Sequence, residues 1–442
     1  MHLHASWLYS PIGVNYWNGV PYGFAPGFFG TSMVSPAADG SAAFNWDQTP
    51  YPGQVTAPSK DPASTQWGLV SVNPDSLKAG RIHQWNVSFE REVSQDLSVS
   101  VAYLGNKGTR LGSGDFERNQ PDPAEMQRLL LSGTEWNWVS DPASAAVAGV
   151  RYPYPGFAGT AWMAITPYPQ AAAGWGPLFF VGSPLGEQSY HALQLTANKR
   201  SSSGLAAIAS YTLSRQRGNM ESAFQERWTS GPIQDVTRLD LEAATIGATD
   251  RTHVAKGFLS WTLPFGTGRR FLEDSSGLTR ALVSDWTLSA VVRYESGLPL
   301  AIRSSNSYAG WAYPIYANVN PGVELDANFD GSQFNPANLA DPANRYFNPG
   351  AFSNPTYGSL GSGPARLANL RGFGGAYEDL GILKDIRFGR FTAQVKFELM
   401  NVFNRHYFSD PQTSLGSPYF GQVTSLGTQT PRQGQLGLRL QW

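Results

Sequence analysis

The sequence predicts an all-β protein, an antiparallel transmembrane β-barrel represented by about nine C-terminal strands with long extracellular loops. Three observations carry that fold class. Period-two alternation recurs in segments of about 10 to 13 residues, where globular strands average about 5 or 6 and membrane strands need about 9 to 11. The connections alternate between short and very long, as the two rims of a membrane barrel do. Aromatic residues recur near the segment ends, at Trp85, Tyr103, Tyr190, Tyr211, Trp261, Trp286, Tyr294 and Trp442, where an interfacial girdle places them.

The first segment is Ile82 to Glu92, in which Trp85, Val87 and Phe89 point one way and Gln84, Asn86, Ser88 and Glu90 the other. Past Val93-Ser94-Gln95-Asp96, Leu97, Val99, Val101 and Tyr103 alternate with Ser98, Ser100 and Ala102, making a hairpin. A second hairpin joins Tyr190 to Lys199 with Leu205 to Leu213 through Arg200-Ser201-Ser202-Ser203-Gly204. A third pairs Thr252 to Leu263 with Trp286 to Tyr294 across Pro264 to Asp285, and a fourth joins Leu380 to Phe388 with Phe391 to Leu399 through Gly389-Arg390. The ninth segment, Gln435 to Trp442, has no partner within these four hairpins.

Composition agrees with strands that have one lipid-facing side. Only 15% of the residues are charged, against about 25% in an ordinary soluble chain, while 47 glycines and 31 prolines mark abundant turns. The 14 Trp, 19 Tyr and 24 Phe exclude a disordered chain. No run of 18 or more apolar residues occurs, which excludes helical spans, and zero cysteines exclude a disulfide scaffold and thiolate chemistry. A net charge of -1 offers no global attraction to nucleic acid, and none is expected as a partner.

If the short turns are periplasmic, the first and ninth segments both run inward, and an odd set of strands does not close a bacterial barrel. The first residues, Met1 to Trp7, lack the basic start and apolar core of a signal peptide. The expectation is therefore a C-terminal piece of a longer protein, with residues 1–80 a loop-rich extracellular remnant and 81–442 the barrel portion.

Ordered stretches then resemble a known family. They are Gln84-Trp85-Asn86-Val87-Ser88, Val101 to Thr109, Tyr190-His191-Ala192-Leu193-Gln194-Leu195, Ala209-Ser210-Tyr211-Thr212-Leu213-Ser214, Leu263-Pro264-Phe265-Gly266, Tyr294-Glu295-Ser296-Gly297-Leu298-Pro299, Tyr346-Phe347-Asn348-Pro349 and Asn401-Val402-Phe403-Asn404-Arg405-His406. In order and spacing they resemble the C-terminal barrel half of TonB-dependent outer-membrane receptors of the Oar-like type. The resemblance implies outer-membrane lipid and an unknown extracellular ligand as partners, and engagement of the TonB system through an N-terminal plug absent from this sequence. The terminal strand, with Leu436, Leu438, Leu440 and Trp442, looks like the signal read by the barrel-assembly machinery.

Motifs of covalent chemistry are missing: no Gly-Lys dipeptide, no His-Glu pair, neither Gly-x-Ser-x-Gly nor Gly-x-Gly-x-x-Gly. No enzyme activity and no cofactor is expected. Asp326-x-Asn328-x-Asp330-Gly331 reproduces the first half of a calcium loop, but the twelfth position is Ala337 instead of the bidentate Glu. It reads as a surface turn, with Ca2+ in an extracellular loop as the alternative. His83, His191, His253 and His406 fall at outer strand ends, as interfacial residues or as metal ligands.

The function expected is a receptor or transporter barrel that binds a ligand through its extracellular loops and admits it across the outer membrane. Gln194, Thr196, Asn198, Thr392, Gln394, Lys396 and Glu398 would line the lumen, opposite lipid-facing Leu193, Leu195, Val395, Phe397 and Leu399. The C-terminus would lie at the periplasmic side. The alternative is a surface adhesin or structural outer-membrane protein whose loops 105–187 and 297–377 bind a partner without transport.

Overall fold

The computed structural model describes residues 78–111, 119–172, 184–200, 204–219, 233–240, 245–311, 314–427 and 430–442, together with the backbone of three short strands, Leu69–Val72, Asp115–Glu117 and Leu178–Val181. Most of the 1–80 segment lies outside the described residues.

All nine expected strands form. They are β1 (Arg81–Ser94), β2 (Leu97–Leu111), β3 (Gly186–Lys199), β4 (Leu205–Gly218), β5 (His253–Thr262), β6 (Trp286–Glu295), β7 (Gly375–Phe388), β8 (Phe391–Met400) and β9 (Gln433–Gln441). Each pairs antiparallel with its sequence neighbours in one nine-stranded meander whose edges are β1 and β9, so the sheet is open. The ninth segment, expected without a hairpin partner, pairs with β8, setting Leu436 opposite Phe397 and Leu438 opposite Val395.

Several strands run further than the alternation indicated: β2 continues to Leu111 and β4 to Gly218, while β3 begins at Gly186 and β7 at Gly375. On β2, β3 and β4 these extensions, such as Gly105-Asn106-Lys107-Gly108-Thr109, are mostly polar on both faces and carry no hydrophobic period, so only their ladder bonds mark them as strand.

The register separates two faces. One carries Val87, Tyr103, Leu193 and Leu213 in one cross-strand row, and Phe89, Val101, Leu195, Tyr211, Ala255 and Tyr294 in the next. On β4 every residue of this face from Leu205 to Leu213 is apolar, a length of about 27 Å along the strand and about 21 Å at a tilt near 40°. The charges that interrupt it on β7 are satisfied: Glu378 binds Arg405 at 2.8 Å, and Lys384 donates to the Ser284 carbonyl beneath the Trp286 ring. The opposite face is mostly polar.

Buried apolar clusters lie in the connections, not on the sheet. Leu129, Val139, Phe157 and Met163 form one between β2 and β3, and Leu300, Phe347, Phe352 and Leu370 another between β6 and β7. At the opposite rim the connections are short, apart from 263–285, which holds helix α3 (Gly277–Val283). No helix among the described residues is long and apolar enough to cross a membrane.

Two of those turns have only two residues, Gln95-Asp96 and Gly389-Arg390. Gly389 has φ of 60° while Arg390 is not in the left-handed region, and this pattern fits a type II′ hairpin turn with glycine first. A Cβ at Gly389 would meet nothing within 4 Å, so a substitution there tests backbone strain alone. Gly389→Val is expected to cost about 1–2 kcal/mol and Gly389→Asn less, measured by urea unfolding of the lipid-reconstituted protein.

Candidate loop-layer and lumen site

The strands β2, β4, β6 and β8 all deliver their following connections to the same end of the sheet. The β2–β3 connection contains α1 (Pro123–Ser132) and α2 (Pro142–Ala148). Both begin Asp-Pro and end at a left-handed glycine, Gly133 and Gly149. Asp141 accepts from the Ala143 and Ser144 amides, while Ser144 returns a bond to the cap, and these contacts hold the Asp141 carboxyl below its usual range. Met126 and Leu130 of α1 pack on Tyr308 and Ile315 from the β6–β7 connection.

Two glutamines tie three connections together. Gln120 donates to the Gln234 carbonyl at 2.8 Å and accepts from the Val236 amide at 2.8 Å. The Gln234 side chain accepts from the Tyr316 and Gly361 amides and donates to the Gly361 carbonyl at 2.7 Å, while Trp311 Nε1 donates to the Gln234 carbonyl. Beside this junction Gln120, Tyr168, Val236, Thr237, Leu239 and Asp240 line a cleft of about 540 Å³, a volume in the range of small-ligand sites.

A buried ion pair fixes the base of the layer. Arg371 Nη2 lies 2.7 Å from Asp250 Oδ2, with side-chain exposures of 18% and 0%. Arg371 also donates to the carbonyls of Asp250 and Gly297, and Asp250 Oδ1 accepts from the Gln216 amide at the end of β4. A Cβ on Gly297 would lie 1.8 Å from the Gly372 carbonyl oxygen, so this crossing requires glycine. Tyr346 donates to the Arg371 carbonyl at 2.6 Å, and burial beside Asp410 and Asp326 pushes its phenol up to about 12. Phe329, Phe334, Tyr346, Phe373 and Phe408 join the β6–β7 and β8–β9 connections through ring contacts of 4.6 to 6.0 Å.

The register places Gln194, Thr196 and Asn198 opposite Thr212, Ser210 and Ile208, and Thr392, Gln394, Lys396 and Glu398 opposite Arg387, Asp385, Leu383 and Gly381. All seven lie on the polar face, at two separate parts of it. Lys396 pairs with Glu398 at 2.6 Å, and Gln394 donates to Asp385 at 3.0 Å. On the other face lie Leu436, Leu438 and Leu440 of the edge strand.

Asp326 and Asp330 turn their oxygens onto local groups: Asp326 accepts from the Asn328 amide, and Asp330 from Ser332 and Gln333, which holds its carboxyl below the usual range. Asn328 occupies the left-handed region that asparagine tolerates. The histidines do not converge. His83, His191 and His253 stand on β1, β3 and β5, each about 10 Å from the next by strand spacing, and His406 lies beyond β8. His191 and His253 instead bond Tyr103 and Tyr211 at 2.8 and 2.6 Å. Among the described residues no three His, Asp or Glu are grouped to hold a metal ion.

Asp250, Arg371, Gln120 and Gln234 carry no local motif and were invisible to sequence reasoning. The Asn401-to-Arg405 stretch was visible, and its role is structural. Asn401 and Asn404 take left-handed φ, Asn401 bonds both ways with Arg405, and Arg405 reaches Glu378.

Removing Arg371 strands a fully buried carboxylate, a change that costs about 3–5 kcal/mol. Arg371→Ala is expected to expose the connections after β4 and β6 to limited proteolysis while the strands keep their circular dichroism; unchanged cleavage would refute the clamp.

The long connections thus form an ordered layer at one end of a meander whose two faces differ in polarity. The chain aligns at low similarity with solved structures: an outer membrane transporter, YddB, from Escherichia coli (6% identity, TM-score 0.39, covering 85% of this chain and 34% of that one) and the ferric preacinetobactin receptor BauA from Acinetobacter baumannii (9%, 0.33, 81% and 29%). The FrpB iron transporter from Neisseria meningitidis aligns similarly (10%, 0.33, 84% and 32%), so the chain spans about a third of the length of each. No curated protein matches the chain by sequence. The profile of the outer membrane beta barrel domain matches residues 5–435, and the chain belongs to that family of outer-membrane proteins.

Proposed function

We propose that the chain is the ligand-receiving part of a TonB-dependent receptor barrel, of the Oar-like type, which captures a solute in its loop layer and admits it along the polar face. The observation that supports this most directly is the joining of three long connections by Gln120 and Gln234 beside an open cleft. An ordered, polar-lined layer at one rim suits recognition. No covalent step is proposed.

In this reading the long connections are extracellular, and Trp442 lies at the periplasmic rim for the barrel-assembly machinery to read. The apolar face meets lipid, and the polar face with Gln194, Thr196, Asn198, Thr392, Gln394, Lys396 and Glu398 borders the lumen. Further strands must pair with β1 and β9, because open edges leave backbone groups unbonded in hydrocarbon. Energy coupling would come through a plug that engages TonB.

Two measurements test the reading. Phe397→Arg on the apolar face is expected to cost about 2–4 kcal/mol and abolish the heat-modifiable folded band, while Gln394→Arg on the adjacent polar face assembles normally. Equal assembly of both would contradict the assigned faces. Cells that carry the chain together with its plug and TonB are expected to take up the captured solute, and Gln234→Ala is expected to lower that uptake. Binding of a matrix polymer without any uptake would favour the adhesin reading.

A further inference from the structure

The apolar face ends toward the long connections in a band of cations. In one cross-strand row Lys107 on β2 is followed by Ser189 on β3 and Arg217 on β4; in the next row Gly105, His191 and Arg215 follow. Lys107 and Arg217 are two strands apart, about 10 Å. His253 on β5 stands opposite Leu213, one step below Arg215 on the same face. All five side chains are exposed, and Lys107, Arg215 and Arg217 make no ion pair among the described residues. Glu187 is the sole acidic side chain at this end of the face on β2 to β5 among the described residues.

Three unpaired cations gather at this rim, whereas Glu378 and Lys199 on the same face are neutralised at close range by Arg405 and Asp96. The polar face does not explain them, because the register turns them away from it.

Below this band and offset from it, across β4 to β7, lies a groove. In the row Tyr211, Ala255, Tyr294, Ala376, large and small residues alternate across β4 to β7. The two alanines leave a hollow of about 520 Å³ between the rings, bounded by His253, Ser296 and Glu295, whose carboxylate is neutralised by Arg251 and Arg293. Tyr211 and His253 are fixed to each other by the 2.6 Å bond, so one wall is set in place. An apolar slot of this kind admits a hydrocarbon chain, and the cations above it stand at headgroup height.

We propose that this surface is a specific seat for a phosphorylated, acylated glycolipid of the outer leaflet: Lys107, Arg215 and Arg217, with His191 and His253, bind its phosphates, and an acyl chain lies over Ala255 between Tyr211 and Tyr294. The cations supply charge-assisted bonds to phosphate, and arginine does so in bidentate form. The seat is continuous with the lipid-facing band and rests on that assignment of faces.

The test uses the full chain in detergent and native mass spectrometry, with diphosphoryl and monophosphoryl forms of an acylated glucosamine disaccharide and phosphatidylcholine as probes. Adducts are expected in the order diphosphoryl, monophosphoryl, phosphatidylcholine, with at least a fivefold loss for the diphosphoryl form in the triple variant Lys107→Gln, Arg215→Gln, Arg217→Gln, and a comparable loss in Ala255→Trp. Inorganic phosphate at equal concentration should not displace the lipid, because it lacks the chain that fills the groove; full displacement would overturn the proposal. Equal binding by wild type and both variants, each verified by heat-modifiable mobility, would also overturn it. The faces are checked separately. The chain has no cysteine, so Leu195→Cys gives a single fluorophore site. Quenching of that fluorophore by brominated lipid with no phosphate preference sinks the seat and leaves the faces standing, whereas absence of quenching sinks both.

Discussion

Everything in this molecule follows from one constraint: inside hydrocarbon, each backbone N–H and C=O must find its partner within protein. A meander of long neighbouring strands meets that demand with local connections, and β1 to β9 are ordered accordingly. It also places even and odd residues in different solvents, so alternation of side chains is a consequence of the ladder, not an independent feature. Leu193, Leu195 and Phe397 stay exposed on the sheet's apolar face instead of packing into a core. The clusters that a soluble protein would place under its sheet are found in the connections instead.

That division explains what could be read from the sequence. The strands were legible because successive residues fall on faces of opposite polarity, as in Leu193-Gln194-Leu195-Thr196. Legibility failed where the contrast between the two solvents disappears. Gly105 to Leu111 stays in the ladder, but beyond the apolar band both of its faces are polar. The helices α1 and α2 carry local signals of a different kind, Asp122-Pro123 with Gly133 and Asp141-Pro142 with Gly149, which have no strand period.

The loop layer was illegible for a different reason. Gln120 and Gln234 meet across 114 residues of chain, and Asp250 and Arg371 across 121. Nothing near Arg371 in the chain announces a buried carboxylate, and two glutamines among polar loop residues have no period to betray them. Asp326, Asn328 and Asp330 show the converse: their spacing suggested convergence on an ion, while the carboxylates are occupied by amides and hydroxyls of the same turn. Local sequence reports the solvent a residue sees more readily than the distant partner it meets.

The tie between Asp250, Arg371 and the Gln216 amide also has a mechanical meaning. A meander whose strands touch only their neighbours peels like a zipper, one hairpin at a time, because a load applied at one edge is borne by one seam. Arg371 and Asp250 bridge the rim from the end of β4 to the start of β7, a span that skips two strands of the sheet. A pull on this rim is therefore divided among three seams in parallel, and hairpins that would yield in sequence are made to yield together. Such load sharing keeps the ladder intact while one rim bears a load.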